Sequence, residues 1–456
     1  MDAEKRKLMS QNARLRARVS ELEARIEALS AALEESRRAG KRQAAPFRKK
    51  PPKAKPKKAG RKSGEDHGRH AHRAVPERID ETHEAPLPQR CPHCDSLDLH
   101  EVEVAPQYQS EIETRVVHRR FNVHVGCCQA CGARVQGRHP LQTSDALGAA
   151  GRQLGAKVHA LLTVLNKQLG LSHGKCRSLL ETAFGLKIAR STSGRSILRT
   201  SQRCEGACEE IRLAVRGSPQ VTPDETGWRV GGKNAWLHVL VGRDATYYEI
   251  GRRGHQIAEQ LLGIDWGGVL APNGWSPYDR FLAATHQQCN AHALRRAHEL
   301  LETALGGGAR FPRAVRNLFH HALAWRDRYR DVVSQRSRER AYQRFTTRLE
   351  HLVWRDKTNA ANHRFARHLE KHLYEWFWYL TDPAVDATNW RAEQAIRPAV
   401  VNRKVWGGNR TWIGARAQAI LASILTTCTQ RAQDELDYLI HTLQSPAPLP
   451  LPTAAR

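Results

Sequence analysis

The sequence predicts a multidomain α/β chain, and three features of its 456 residues carry that expectation. Leucines recur every seventh position near the start. Two Cys-x-x-Cys pairs follow, and the second half opens on three strand-like runs, a helix and a fourth strand. Each feature calls for its own packing unit.

In residues 1–37, Leu8, Leu15, Leu22 and Leu29 occupy one heptad position, and Asn12, Val19, Ile26 and Leu33 the interleaved one. Leucine at d with β-branched residues and one Asn at a predicts a parallel two-stranded coiled coil, hence a homodimer. Arg18 at g faces Glu23 at e of the partner helix. An amphipathic helix packed on its own chain is the alternative.

Residues 38–85 are rich in Pro, Lys and Gly and carry no periodicity, which predicts a disordered basic linker. Between Arg37 and Ser63 there are thirteen Lys or Arg and no acid, about half of the formal charge of +27. Such charge implies a polyanion, with double-stranded DNA the expected partner. Lys49, Lys50, Lys57 and Lys58 would sit on its phosphates without reading bases. A merely solvated tail is the alternative. No run of 18 apolar residues exists, which argues against a membrane span, and the charged start argues against secretion. A cytoplasmic, nucleoid-associated bacterial protein is expected.

Residues 86–140 hold Cys91, Cys94, Cys128 and Cys131. Two such pairs predict a ribbon around one structural Zn²⁺, with no open position for chemistry. Cys127 is a spare thiol. Alternating apolar residues (Val102, Val104, Val116, Val117, Phe121, Val123, Val125) suggest strands joining the pairs. Residues 145–215 read as helices. LGLSHGKCRSLLETAFGLKI resembles a helix-turn-helix of DNA-binding type, and Ser191-Thr192 would cap a further helix through 215.

Residues 218–298 change character. SPQVTPDETGWRV, AWLHVLV and ATYYEI read as strands, with Gly231-Gly232 as a hairpin turn. HQIAEQLLG reads as a helix, and WGGVLAPN as a fourth strand. This order predicts the first part of a ribonuclease H-like catalytic core. Such a core offers one carboxylate near the middle of its first strand, where Asp224 stands, and one at the end of its fourth, where this chain has Asn273. Helical spacing through 299–385 predicts an α-helical insertion. Its aromatic run (Tyr374, Trp376, Phe377, Trp378, Tyr379) is expected to be core. Residues 386–445 complete the catalytic core, with Asn389 as N-cap and Glu393 in the first turn of a helix. Arg391, Arg397, Arg403 and Lys404 around Glu393 are candidate DNA contacts. His292, three residues after Cys289, is expected to be structural or to contact DNA.

PDETGWRV (223–230), GVLAPNGWSPYDRF (268–281), QCNAHALRRAHELLE (288–302) and NWRAEQAIRPAVVNRKVWGGNRTWIGARAQAILASILTTC (389–428) together resemble the insertion-sequence-66 family of transposases. The resemblance runs from the zipper to about residue 440. It implies an acidic-triad (DDE) enzyme that binds the terminal repeats of its element and cuts and joins DNA with two Mg²⁺ or Mn²⁺ ions. By this resemblance Asp224 bridges both ions, while position 273 and Glu393 each serve one. Accessory proteins of the same element are implied partners. The family motif has Asp where this chain has Asn273, and an amide lacks the charge a hard cation wants. Impaired catalysis is therefore expected, and a non-catalytic DNA-binding protein or repressor is the rival reading.

Overall fold

A computed structural model describes residues 75–110, 112, 115–304, 306–330, 332–357, 359–445, 447 and 449–450, together with Leu15, Arg18, Val19, Glu21, Leu22 and Arg25. Those six are helical and exposed. The rest of the heptad, and Lys49, Lys50, Lys57 and Lys58, lie outside the described residues. Two compact units are present: Phe47–His118, and Met1–Pro46 with Arg119–Arg456. The segment expected as one ribbon, 86–140, therefore divides between them.

Of the strands expected between the cysteine pairs, the described residues form one short strand, at Val125. Residues 98–124 carry no strand among those described, and Val102 and Val104 stand in solvent at 96% and 73% exposure. Alternation alone makes no sheet when no neighbour covers the apolar face. Pairing is confined to a short antiparallel hairpin, β1 (Val125–Cys127) with β2 (Arg134–Gln136), around the second cysteine pair.

Four α-helices between residues 156 and 216 lead into the sheet. α1 (Ala156–Thr163) runs into a π-helical turn, Val164–Gln168. α2 (His173–Phe184) is opened by the Ser172 side chain, which accepts from Lys175 N, and closed by Gly185 in the left-handed region at φ 66°. α3 (Arg190–Arg203) starts from Ala189, not from a Ser-Thr cap, and the chain breaks at Cys204 before α4 (Glu205–Arg216). The helix expected to reach 215 is thus two.

The sheet contains β3 (Gln220–Val230), β4 (Lys233–Val241) and β5 (Thr246–Gly251), then, after α5 (Gln256–Leu262), β6 (Val269–Leu270) and β7 (Thr285–His286). Its order is β5-β4-β3-β6-β7. β3, β4 and β5 are antiparallel, whereas β6 and β7 run parallel to β3. Gly231 and Gly232 both take positive φ (58° and 76°), which fits the two-residue hairpin turn read from the sequence. β6 is shorter than anticipated: only Val269 and Leu270 pair, and Pro272, lacking an N–H, leads the chain out of the ladder at the site turn.

α6 (Asn290–Thr303) leads into the insertion, α7 (Arg310–Tyr329), α8 (Gln335–Trp354) and α9 (Ala360–Lys371). This body has its own core, in which Phe319, Phe345, Phe365, Trp376 and Phe377 are buried. The aromatic run is core as expected, except for exposed Tyr374. α10 (Trp390–Trp406) and α11 (Trp412–Gln430) return to the sheet, followed by α12 (Glu435–Gln444). Small residues Ala392, Ala399, Ala415 and Ala419 let both helices lie close on Trp228, Leu237, Val239 and Tyr248. α11 also satisfies the edge strand: Tyr248 N donates to Ser423 Oγ at 2.9 Å and Thr246 N to Thr427 Oγ1 at 3.1 Å.

Between α10 and α11, Asn409 N donates to Arg229 O and Gly231 N to Asn409 O, both at 2.9 Å, tying the linker to the end of β3. Gly408 makes that approach with φ 113°, and a Cβ there would collide with the Arg229 carbonyl. Gly408→Ala should therefore cost about 1–3 kcal/mol of stability, read as a lower midpoint in chemical denaturation. An unchanged midpoint would show that the linker is not held as described.

Candidate active site

β3 carries Asp224 half-buried beneath the turn that follows β6. Its Oδ1 accepts from Glu225 N at 2.9 Å and from Asn273 Nδ2 at 3.0 Å. Asn273 Oδ1 in turn accepts from Trp275 N at 3.2 Å. These partners settle which way the amide faces, because a backbone N–H can only donate and an ionised carboxylate can only accept. The amide oxygen is occupied within its own turn, and the amide nitrogen is turned toward Asp224.

Glu393 comes from the first turn of α10 and reaches the same neighbourhood. Burial raises the Asp224 carboxyl to about 6, and the negative charge of Glu393 adds to the rise, against the lowering effect of the two hydrogen bonds. Next along the strand, Glu225 is raised to about 7 by burial and by Asp224, while Arg253 opposes the rise. Its buried Oε2 has no hydrogen-bond partner among the described residues. The fold thus disfavours the charged form of both carboxyls, a perturbation of the kind that clusters at functional sites. Asp224, Asn273 and Glu393, remote in sequence, are brought to one place. Asp279 is not a spare ligand, since it pairs with Lys371 at 2.5 Å.

Glu393 is flanked by His292 Nε2 at 3.8 Å and Arg295 Nη2 at 3.9 Å, both from α6. A thiol aligns the two helices. Cys289 precedes α6 and Asn389 precedes α10; Cys289 Sγ donates to Asn389 Oδ1 at 3.0 Å and accepts from Asn389 N at 3.3 Å. Burial pushes the Cys289 thiol up, so the S–H is present to donate. Asn389 occupies the expected N-cap position, but its side chain makes no capping bond. It is spent on Cys289. Sequence reasoning missed this clasp and the pairing of His292 with Glu393. The signal available was QCNAH, whose spacing sets a buried thiol and a histidine on one helical start.

A family model described as Transposase IS66 family matches residues 151–417 of the chain. The chain belongs to that family. No curated protein matches it. Membership brings transposase activity on DNA, of a kind that generally uses divalent metals. No helix among the described residues is long and apolar enough to cross a membrane.

Within this IS66-family chain the basic residues expected around Glu393 are dispersed. Arg391 Nε lies 2.8 Å from Asp386 Oδ2, a close ion pair without hydrogen-bond alignment. Arg403 is drawn to the sheet, where Nη1 donates to Thr226 Oγ1 at 3.2 Å, and burial lowers its pKa. Arg397 and Lys404 are exposed on the helix. The charged partner shown for Glu393, Arg295, comes from α6, beside His292, whose pKa burial lowers; Arg397 follows Glu393 by one helical turn.

The two cysteine pairs share one local fold. Cys91 N donates to Ser96 O and Asp95 N to Cys91 O, both at 2.9 Å. Cys128 N donates to Ala133 O and Gly132 N to Cys128 O, both at 2.8 Å. Asp95 and Gly132 hold matching positive φ, 60° and 68°. Backbone N–H groups, of His93 and Cys94 at one knuckle and of Cys131 and Ala130 at the other, lower the pKa of Cys91 and Cys128. Among the described residues no group of three or more His, Cys, Asp or Glu is gathered for a metal.

Two outcomes follow from the raised carboxyls and the clasp. The folded pKa of Asp224 exceeds its unfolded value, so metal-free protein binds extra protons between the two and loses stability as pH rises to about 6. Thermal melts without added Mg²⁺ or Mn²⁺ should show a midpoint falling between about pH 4 and about pH 6. Asp224→Asn should flatten that fall, and equal slopes would refute the assignment. Cys289→Ala leaves buried Asn389 groups unpaired and should cost about 1–3 kcal/mol, whereas Cys289→Ser should retain much of the difference by denaturant titration. A Ser variant no better than Ala would mean the clasp contributes nothing.

Proposed function

We propose that the chain binds the ends of its element and carries out divalent-metal-dependent strand cleavage and strand transfer, with Asp224 and Glu393 as charged ligands and Asn273 standing in for a third. The reading rests on one observation: Asn273 bonds Asp224 directly while Glu393 acts on that same carboxylate. Three antiparallel strands followed by two parallel ones, with a helical insertion before the Glu393 helix, support a ribonuclease H-like core. The matched cysteine knuckles support a Zn²⁺ ribbon, and the exposed Leu15, Val19 and Leu22 support dimerisation through the heptad.

Two carboxylates suit one Mg²⁺ or Mn²⁺ ion, and a second position would lean on a neutral amide whose oxygen is already bonded. Such an ion, when bound, supplies an activated water and neutralises charge on the phosphodiester. The chain's own residues do the rest. His292 and Arg295 hold the Glu393 carboxylate, and the Asn273 amide holds Asp224 in line. The same amide favours the second reading, a DNA-binding transposase relative that does not cut, because it replaces a charge that the cation needs with a hydrogen bond that holds the site without one.

Mg²⁺-dependent nicking of duplex taken from the DNA flanking the coding sequence separates these readings. Asn273→Asp should cut faster than the native chain, and Asp224→Asn should not cut. If Asn273→Asp leaves the rate unchanged, the ligand assignment fails. Without metal, Asn273→Asp sets a carboxylate against Asp224 and should lose about 1–3 kcal/mol of stability, regained on adding Mn²⁺. A variant as stable as the native chain in chelator would also count against the pairing.

A further inference from the structure

We propose that Arg253 is a preset phosphate-binding side chain beside the turn that carries Asn273, taking the phosphodiester backbone of DNA; the inference rests on the DNA-acting reading above. Arg253 follows β5 and is exposed. Its guanidinium carbon lies 4.2 Å from the ring centre of Trp236 and 5.4 Å from that of Trp275. Two indoles on one guanidinium fix its position through cation–π attraction without using any of its N–H donors. Among the described residues no hydrogen bond or ion pair engages that side chain. A structural arginine ordinarily spends its donors on carboxylates or carbonyls. Here the rings hold the faces, and the donor edge is left for a ligand.

The position of that edge is tied to the carboxylate site. Trp275 N donates to Asn273 Oδ1, and Asn273 Nδ2 donates to Asp224 Oδ1, so one turn sets both the ring under Arg253 and the amide on Asp224. Trp236 pairs with Gly227 of β3 and with Gly251 at the end of β5, which fixes the second ring to the same sheet. The nearby carboxylate that feels Arg253 is Glu225, buried and outside ion-pair distance. A forked cation held by its faces matches a phosphate, which accepts two parallel N–H bonds. In register Trp236 faces away from the side of the sheet that carries Asp224, so the fork takes phosphates outside the carboxylate pair.

The test uses the full-length protein with no Mg²⁺ or Mn²⁺ added, so that its own zinc is kept and no strand is cut, and a fluorescein-labelled duplex from the DNA flanking the coding sequence. Binding is followed by anisotropy across a salt series. Arg253→Ala should weaken binding and make the slope of log K against log salt shallower by about 0.9, the loss of one phosphate contact. Arg253→Lys should keep the slope but bind less tightly, because it keeps the charge and loses the fork. Arg243→Ala, at the opposite end of β4, should leave the slope unchanged. An unchanged slope in Arg253→Ala, an equal fall in Arg243→Ala, or native affinity in Arg253→Lys would each overturn the proposal. Because no cleavage is measured, a protein that binds but does not cut leaves this test intact, and a protein that cuts with an unchanged slope defeats this inference alone.

Discussion

A hydrogen bond of 3.0 Å, from the Asn273 amide to Asp224, joins the middle of the central strand to the turn after its parallel neighbour. Much of the site depends on it. Asp224 is buried deeply enough to lift its pKa, and Glu393 adds like charge. Without a donor or a cation between these elements, the strand and the turn would repel. The amide supplies that donor at the cost of a charge. The site can therefore stay closed with no metal, which an all-carboxylate version could do only with difficulty.

Small side chains and paired helix starts bring the third member in. Alanines on α10 and α11 let the Glu393 helix lie close to the sheet, and Gly408 lets the linker touch β3. The Cys289–Asn389 clasp then sets the beginnings of α6 and α10 side by side, so His292, Arg295 and Glu393 share one corner. The insertion between those helices packs around its own aromatic core and leaves their starts together. Trp275 extends the arrangement outward, its backbone on Asn273 and its ring under Arg253.

The strand order, the hairpin at Gly231-Gly232, the helical insertion and the positions of Asp224, Asn273 and Glu393 were legible in the sequence, because periodicity, turn chemistry and motif spacing are local signals. The length of β6 was not, since ladder length depends on which neighbours arrive. Nor were the strands imagined at Val102 and Val104, where alternation met no partner. The intramolecular partners of the basic residues near Glu393 were not legible either, because they lie on other elements: Arg391 pairs with Asp386 and Arg403 donates to Thr226.

From its sequence alone this chain resembled a transposase family, with Asn273 at a position where that resemblance implies an acid. That is a matter of residue identity and spacing, which survive without coordinates. Only the tertiary structure decided what the amide does, which groups attend Glu393, and that a thiol and two tryptophans position the surrounding groups. Those are contacts between residues far apart in the chain, and no local pattern encodes the direction in which a folded side chain finally points.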